Sequence, residues 1–260
     1  TVEAGGGSVR VVSNLGQIYS RKGDYPRAEF FFRKALKLSP TYLIAKNNLA
    51  DALYQQGKGE EAEQIFHEAA AAKPEARKGV PRSWVVPLNL ANLRVGEYNF
   101  SAALDILAEA RCDYPDVWPL IALESEALRK TRGPAAALPA VQDYARRYWW
   151  HLPSQMALGK LYWEEGDLAQ AEATFRLATR LDVHDVSALN MTALISVNQT
   201  RFEEACVMQR RAIARQPDEP RQYLILSDIL VKMGRSEEAR AMVAQASRLQ
   251  ALVQTQSAAL

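Results

Sequence analysis

An internal repeat constrains the fold of this chain more than any other feature of its sequence. Alanine recurs at intervals of 34 residues, with a single interval of 41 residues. The seven positions are Ala28, Ala62, Ala103, Ala137, Ala171, Ala205 and Ala239. Self-similarity at a fixed period indicates an array of stacked units in which each unit contacts only its neighbours. The spacing therefore predicts seven repeats and one insertion of seven residues.

Each repeat has the pattern of two short helices joined by a turn. In residues 15–40, apolar side chains at three- and four-residue steps form one face of a helix. Gly16 and Ala28 are small, which suits positions where two helices approach closely. Gly23 indicates a turn, and Pro40 indicates the end of the second helix. Two helices this short cannot bury their own apolar faces, so they require neighbouring copies.

The residues of these repeats resemble the signature of the tetratricopeptide repeat (TPR) family. The first repeat carries Leu15, Gly16, Tyr19, Gly23, Tyr25, Ala28, Phe32, Ala35 and Pro40, and the clearest later copy carries Leu158, Gly159, Tyr162, Gly166, Ala171, Phe175 and Ala178. The resemblance implies an all-α fold, a right-handed α-α superhelix (TPR solenoid) of seven helix-turn-helix repeats. It also implies a scaffold for binding proteins, in which the first helix of each repeat lines a concave groove.

The predicted organisation is a flexible segment at residues 1–8 followed by a single array at residues 9–260. The first segment is rich in glycine, as flexible linkers are. The insertion at residues 75–83 is either a solvated loop or a contact loop on a binding face. The last helix is expected to begin at Ser236, to be overlong and to serve as a partial cap, as in a domain of a larger protein. The repeats are predicted at residues 9–41, 42–74, 84–116, 118–150, 152–184, 186–218 and 220–253.

Composition narrows the classes of partner. A formal net charge of +2 and a hydrophobic content of 48% are ordinary for a soluble protein. Without a basic stripe, this balance argues against nucleic acid or an anionic membrane as the main partner. No apolar run approaches the roughly 18 residues of a membrane span, so direct membrane insertion is not expected. The cysteines, Cys112 and Cys206, are expected to be small buried hydrophobes. The compartment, cytoplasmic or bacterial periplasmic, and the oligomeric state stay open.

The sequence offers little for catalysis. His67, His151 and His184 fall in separate repeats without the spacing of metal ligands. Phosphate-binding loops and nucleophile motifs are absent from the sequence. Pairs of glutamates recur where helices meet, and they are interpreted as helix-start charges or solvated turns. The prediction is that the chain is not an enzyme and uses no metal or cofactor.

The binding residues are predicted on the first helices. Asn14, Asn48 and Asn89 each precede the small-residue pair of a first helix, and Asn can pair with both groups of a peptide bond. This column resembles the asparagine ladder in the TPR region of O-GlcNAc transferase. The alternative is that these asparagines support local packing. In later repeats the position is apolar, at Leu123, Ala157, Met191 and Ile225. The full set of predicted peptide-binding residues is Asn14, Gln17, Asn47, Asn48, Asn89, Asn92, Lys160, Trp163 and Asn190.

Two further features bear on function. The family's clamp for acidic C-terminal tails needs basic residues, and Ser13, Val85 and Asn89 occupy their places, so that type of site is set aside. The aromatic run that contains Trp149 and Trp150 is either core filling or a surface hot spot. The predicted function is a non-catalytic scaffold that binds an extended peptide or helix. The alternative is a soluble C-terminal appendage of a larger bacterial membrane protein, such as a glycosyltransferase or an envelope-assembly protein.

Overall fold

Helix pairs are the structural unit throughout residues 2–71 and 84–258, the part of the chain that this computed structural model describes. Numbered in chain order, the first helices are α1 (Val2–Arg21), α3 (Leu43–Tyr54), α5 (Val85–Gly96), α7 (Trp118–Arg132), α9 (Leu152–Glu165), α11 (Val186–Asn198) and α13 (Pro220–Lys232). The second helices are α2 (Tyr25–Leu38), α4 (Gly59–Ala71), α6 (Phe100–Asp113), α8 (Pro134–Arg147), α10 (Leu168–Leu181), α12 (Phe202–Arg215) and α14 (Ser236–Ala258). The predicted all-α solenoid fold is confirmed.

Helix bounds follow the sequence pattern closely, with differences at the ends of two helices. The first helix begins at Val2 rather than near residue 9, so it includes most of the segment for which the glycine content predicts flexibility. α8 ends at Arg147, whereas the sequence predicts a helix that continues through the aromatic residues. The insertion predicted at residues 75–83 lies outside the described residues. α14 extends to Ala258, as expected for an overlong last helix.

The chain forms two compact units, Thr1–Gly133 and Pro134–Leu260. Unit 1 contains α1 to α7, and unit 2 contains α8 to α14. The boundary lies at the turn between α7 and α8, inside the predicted fourth repeat. The single array stays a prediction.

The seven alanines that define the period lie in the cores of these units. Each is between 0% and 3% exposed. Phe32 and Phe175 are also fully buried, each in the core of its own unit. Small residues at these sites let the two helices of a repeat cross closely, which explains why the period is clearest in alanine.

Two glycines show how closely the helices pack. A Cβ atom added to Gly16 would lie 2.5 Å from the ring of Phe32, and one added to Gly159 would lie 2.7 Å from the ring of Phe175. Both distances are too short for real carbon contacts, so neither site has room for a larger residue. The prediction that Gly16 is small because two helices approach there is confirmed.

The turn between the two helices of a repeat uses the left-handed region of the backbone. Gly23, Gly57, Gly166 and Gly234 have φ between +75° and +83°. In two repeats Tyr98 and Thr200 occupy the equivalent turn position, and each has φ of +59°. Side chains with a Cβ atom are strained in this region. These two turns therefore have a positive φ, as the four glycine turns do, although they contain no glycine.

A network of charged and polar side chains joins neighbouring repeats in unit 1. The Glu29 carboxylate on α2 accepts hydrogen bonds from Arg33 Nε at 2.8 Å, Gln56 Nε2 at 3.0 Å and Lys58 Nζ at 2.8 Å. Arg33 also pairs with Glu61 at the start of α4. Burial alone would raise the pKa of Glu29, but its hydrogen bonds outweigh burial and lower the pKa to about 2.

The same network recurs in unit 2 at the same repeat positions. Glu172 on α10 accepts hydrogen bonds from Arg176 Nε at 2.8 Å, Gln199 Nε2 at 2.8 Å and Arg201 Nη2 at 2.5 Å. Arg176 reaches Glu204 at 2.5 Å, as Arg33 reaches Glu61. The hydrogen bond from Arg201 is the main cause that lowers the pKa of Glu172 to about 2. Two of the glutamates interpreted as solvated or helix-start charges, Glu61 and Glu204, therefore pair across repeats.

The two cysteines differ in environment. Cys206 is buried, as the sequence predicts, and burial raises the pKa of its thiol. Cys112 is exposed, which corrects the prediction that both thiols are buried. The reason is its position next to the end of α6, two residues after the buried Ala110, on the side of the helix that faces away from the core.

Candidate peptide-binding site

The first helices of unit 1 form a continuous face. α1 contacts α3, α3 contacts α5, and α5 contacts α7, in addition to the contacts that α1, α3 and α5 make with their own second helices. We call the surface that α1, α3, α5 and α7 share the first-helix face. It carries six of the nine predicted binding residues: Asn14, Gln17, Asn47, Asn48, Asn89 and Asn92.

The three asparagines of the predicted column have different environments. Asn14 is exposed on α1, with Gln17 half-buried one turn later. Asn48 is half-buried on α3, and its Nδ2 is buried without a hydrogen-bond partner among the described residues. Asn89 is half-buried on α5. A buried amide without a partner is costly, and such groups are rare in folded proteins.

Asn89 has a partner within the protein, as the alternative of local packing predicts. Its Nδ2 donates a hydrogen bond to Oδ1 of Asn47 at 3.0 Å. Asn47 lies on α3 and is only 7% exposed. The bond forms because α3 and α5 pack side by side. The structure thus gives Asn47 and Asn89 a packing role, whereas Asn48 Nδ2 has no hydrogen-bond partner among the described residues.

A pocket of about 250 Å³ opens beside this bond. Two predicted residues, Asn89 and Asn92, line it. The remaining lining residues are Asp51, Tyr54 and Gln55 of α3, Phe66 of α4 and Leu93 of α5. We call it the Asp51 pocket. It combines an acidic group, three amides and apolar walls in one cavity.

Asp51 is the residue of this site that the sequence reasoning missed. Burial raises the pKa of its carboxyl group, and a hydrogen bond from Gln55 offsets part of that effect. The spacing of residues along α3 could have identified Asp51. Asp51 follows Asn47 by four residues and Asn48 by three, so all three lie near one face of α3.

The predicted residues of unit 2 have a separate setting. Lys160 is exposed on α9. Trp163 is half-buried and packs against the core cluster that contains Phe175. Asn190 is half-buried on α11, and its Oδ1 is buried without a partner among the described residues. The role of these three residues stays a prediction.

The aromatic run is at the surface. Trp149 and Trp150 are 55% and 57% exposed, and they follow the end of α8 rather than lying within it. Their rings meet edge to face with centroids 5.9 Å apart. Gln155, which is buried, donates a hydrogen bond from Nε2 to the backbone oxygen of Trp149 at 3.1 Å and so holds this turn. Of the two interpretations, core filling is wrong for these tryptophans.

Each of the three histidines lies close to another group of the protein. His67 is exposed and its Nε2 lies 3.4 Å from Glu63. His151 caps α9 by accepting a hydrogen bond from the backbone N–H of Ser154 at 3.3 Å, and burial lowers its pKa. His184 lies 3.3 Å from Arg215. Within the described ranges, no cluster of histidine, cysteine and acidic residues could hold a metal ion.

Known proteins match this chain in sequence and in fold. A model of the tetratricopeptide repeat family matches residues 19–78, and a second model of the same family matches residues 152–182. The human protein O-mannosyl-transferase TMTC1 is 30% identical over 92 residues, which are 35% of this chain. The match spans only 10% of the length of that protein.

Solved structures with the same fold cover most of the chain. The structure of pilF from Pseudomonas aeruginosa is 16% identical, with a TM-score of 0.65, and the match covers 88% of this chain and 99% of pilF. YrrB, described as a TPR protein with an unusual peptide-binding site, is 22% identical, with a TM-score of 0.50, and the match covers 72% of this chain and 93% of YrrB.

No helix in the described part of the chain is both long and apolar enough to cross a membrane. Two segments of the chain therefore match tetratricopeptide repeat models, and the fourteen helices in its described residues fit a tetratricopeptide solenoid of about seven repeats.

Proposed function

We propose that the chain is a non-catalytic scaffold that binds an extended peptide along the first-helix face of unit 1. One observation carries the proposal. Asn48 is half-buried on α3, and its Nδ2 has no hydrogen-bond partner among the described residues. Rotation of this side chain toward the groove would let the amide donate to a peptide carbonyl. The neighbouring Asp51 pocket supplies a place for one side chain of the same peptide.

Other observations support a peptide rather than a reaction. The residues that line the Asp51 pocket include no nucleophile with an adjacent base. Asn14 and Gln17 extend the line of amides along α1. A peptide in extended conformation offers alternating donors and acceptors to such a line. YrrB, which has the same fold, is itself described as a peptide-binding protein.

Binding and stability measured together test this proposal. Peptides are selected from a random library displayed on phage against the full chain. Asn48→Ala should weaken the selected peptides by about 0.5–1.5 kcal/mol, the usual worth of one hydrogen bond. The melting temperature should stay unchanged, since Asn48 Nδ2 has no protein partner to lose. Gln64→Ala, an exposed amide on the second helix α4, is the matched control and should change neither quantity.

The proposal fails if the library yields no binding peptides. It also fails if Asn48→Ala lowers the melting temperature and leaves affinity unchanged, because the asparagines would then be packing residues only. The hydrogen bond between Asn47 and Asn89 provides the comparison. Asn47→Ala should lower the melting temperature, since it removes the partner of a half-buried amide.

A second candidate function is that of an appendage to a membrane-bound glycosyltransferase. The observation that favours it is the 30% identity to a stretch of an O-mannosyl-transferase. In that setting the first-helix face would present an acceptor protein to a catalytic domain elsewhere in the polypeptide. The complete reading frame tests it: a transferase domain with membrane spans in the same frame supports the appendage, and its absence excludes it.

A further inference from the structure

The Asp51 carboxyl group is unusual among the partly buried acidic groups of unit 1. Glu29, Glu63 and Glu124 each form an ion pair with an arginine, and their side chains are between 15% and 31% exposed. Asp51 is half-buried too, but no lysine or arginine of the described residues pairs with it. Among the described residues, the side chain that lowers its pKa through a hydrogen bond is Gln55, a neutral group. A buried charge is normally paired, so this carboxylate lacks a counter-charge.

The other polar groups of the pocket can also accept hydrogen bonds. One N–H of Asn89 Nδ2 is used in the hydrogen bond to Asn47, and the carbonyl oxygen of Asn89 is available as an acceptor. Asn92 is exposed at the rim and can rotate to present its own oxygen. A cation in this cavity would therefore find hydrogen-bond acceptors beside a negative charge.

The walls of the pocket suit an apolar stem. Phe66 and Leu93 are buried at its base, and Tyr54 adds a half-buried aromatic ring. Lysine and arginine carry their charge on a chain of methylene groups that packs against such surfaces. Aromatic rings also attract a cation that lies over their faces. A small cation without a stem would leave these walls uncovered.

We propose that the Asp51 pocket binds a lysine or arginine side chain of the peptide, with the charged head at Asp51 and the oxygen of Asn89 and the stem against Tyr54, Phe66 and Leu93. The proposal rests on the proposed function, since it names the residue that the bound peptide must carry. Burial raises the pKa of the Asp51 carboxyl in the free protein, and a cation in the pocket would reverse that effect.

The test uses the full chain and the same phage-displayed random library. Selected peptides should be enriched in lysine or arginine at one position. Asp51→Asn keeps the shape of the side chain and removes its charge, so it should weaken these peptides at least about tenfold, as expected for a charged hydrogen bond. Asp105→Asn, the same change at an exposed aspartate on the second helix α6, is the matched control and should leave affinity unchanged.

Peptide variants identify the partner of Asp51. Replacing the selected basic residue by glutamine should weaken binding to the wild-type chain about tenfold but hardly affect binding to the Asp51→Asn variant. Separate peptides with lysine and with arginine show which cation the pocket prefers. Free lysine and a polyamine serve as competitors, and they should displace the peptide far less well than the peptide itself does.

Three results would overturn the inference, and the first two of them leave the proposed function intact or are distinguishable from its failure. Peptides without a basic residue that bind well and are weakened by Asn48→Ala would leave the scaffold function intact and exclude a cation pocket. If Asp51→Asn weakened the affinity for the lysine peptide and for the glutamine peptide equally, Asp51 would act on folding or shape. A library that yields no peptide would exclude both proposals. The melting temperature of Asp51→Asn should not fall, because the change removes an unpaired charge from a half-buried site.

Discussion

At the scale of single residues, two positions in this protein carry residue types that the local backbone geometry alone would not favour. Gly159 lies inside α9, where alanine would normally be the better helix former. Its close approach to the ring of Phe175 reverses that preference. Thr200 shows the opposite case, a branched residue at a turn position where the equivalent residues are mostly glycines.

Gly159→Ala should destabilise unit 2 by about 1–3 kcal/mol, since the added methyl group overlaps a fully buried ring. Thermal or urea unfolding measures the change. Gly59→Ala is the control, because it lies at the start of α4 with open space around the added atom. It should cost nothing. Equal effects of the two substitutions would contradict the helix crossing described for α9 and α10.

Thr200→Gly should raise the free energy of unfolding by about 0.5–1 kcal/mol. Glycine removes left-handed strain of about 1–2 kcal/mol from the folded state. It also raises the conformational entropy of the unfolded chain, which offsets part of this stabilisation. Thr200→Ala, which keeps a Cβ atom at the same φ, should gain less. A glycine variant that unfolds at lower denaturant concentration than the wild type would rule out the positive φ at this turn.

At the scale of helices and their pairing, the recurrent glutamate networks stabilise the contact between one repeat and the next. Glu29 in unit 1 and Glu172 in unit 2 occupy the same place in their repeats, and each gathers two basic side chains and a glutamine. Such a multidentate arrangement contributes more than an isolated surface ion pair. The individual charges were visible in the sequence, but two of the three partners of each glutamate lie 27 or 29 residues away.

The pKa values of about 2 set the pH dependence of this contribution. A folded-state pKa below the ordinary value of 4.5 means that the stabilisation is fully present above about pH 5 and is lost as the pH falls toward 2. Glu172→Gln should therefore cost about 1 kcal/mol at pH 7 and progressively less below pH 4.5. Unfolding curves at several pH values test this. The control Glu165→Gln, at an exposed position on α9, should show no such convergence with the wild type.

At the scale of the whole chain, the division at Gly133 predicts that each unit folds with its own core. A fragment of residues 134–260 retains the buried clusters around Phe175 and around Leu226. It should be helical by circular dichroism and should unfold cooperatively. A fragment that begins instead after residue 165, between α9 and α10, contains Phe175 without Gly159 and should not fold. Failure of the 134–260 fragment to fold would mean that its stability depends on neighbouring repeats.

The sequence alone determined the repeat, the helix pairs and the buried alanine at the start of each second helix. These features are periodic and local: the position of a residue on a helix follows from its spacing, and an apolar stripe must be covered. It also placed six of the nine predicted binding residues on helices that share one face. It did not identify Asp51, although the three-residue spacing from Asn48 was available.

The tertiary structure alone decided which side chains meet. Asn89 and Asn47 are 42 residues apart, and their hydrogen bond exists because α3 and α5 pack side by side. The same packing surrounds Asp51 with amides and apolar walls, and with no cation from the described residues. The exposure of Trp149, Trp150 and Cys112 depends in turn on where α8 and α6 end and which side of each helix faces the core. Spacing along one helix cannot determine these contacts, because they depend on the rotation and displacement of one helix against another, which the packing of distant residues sets.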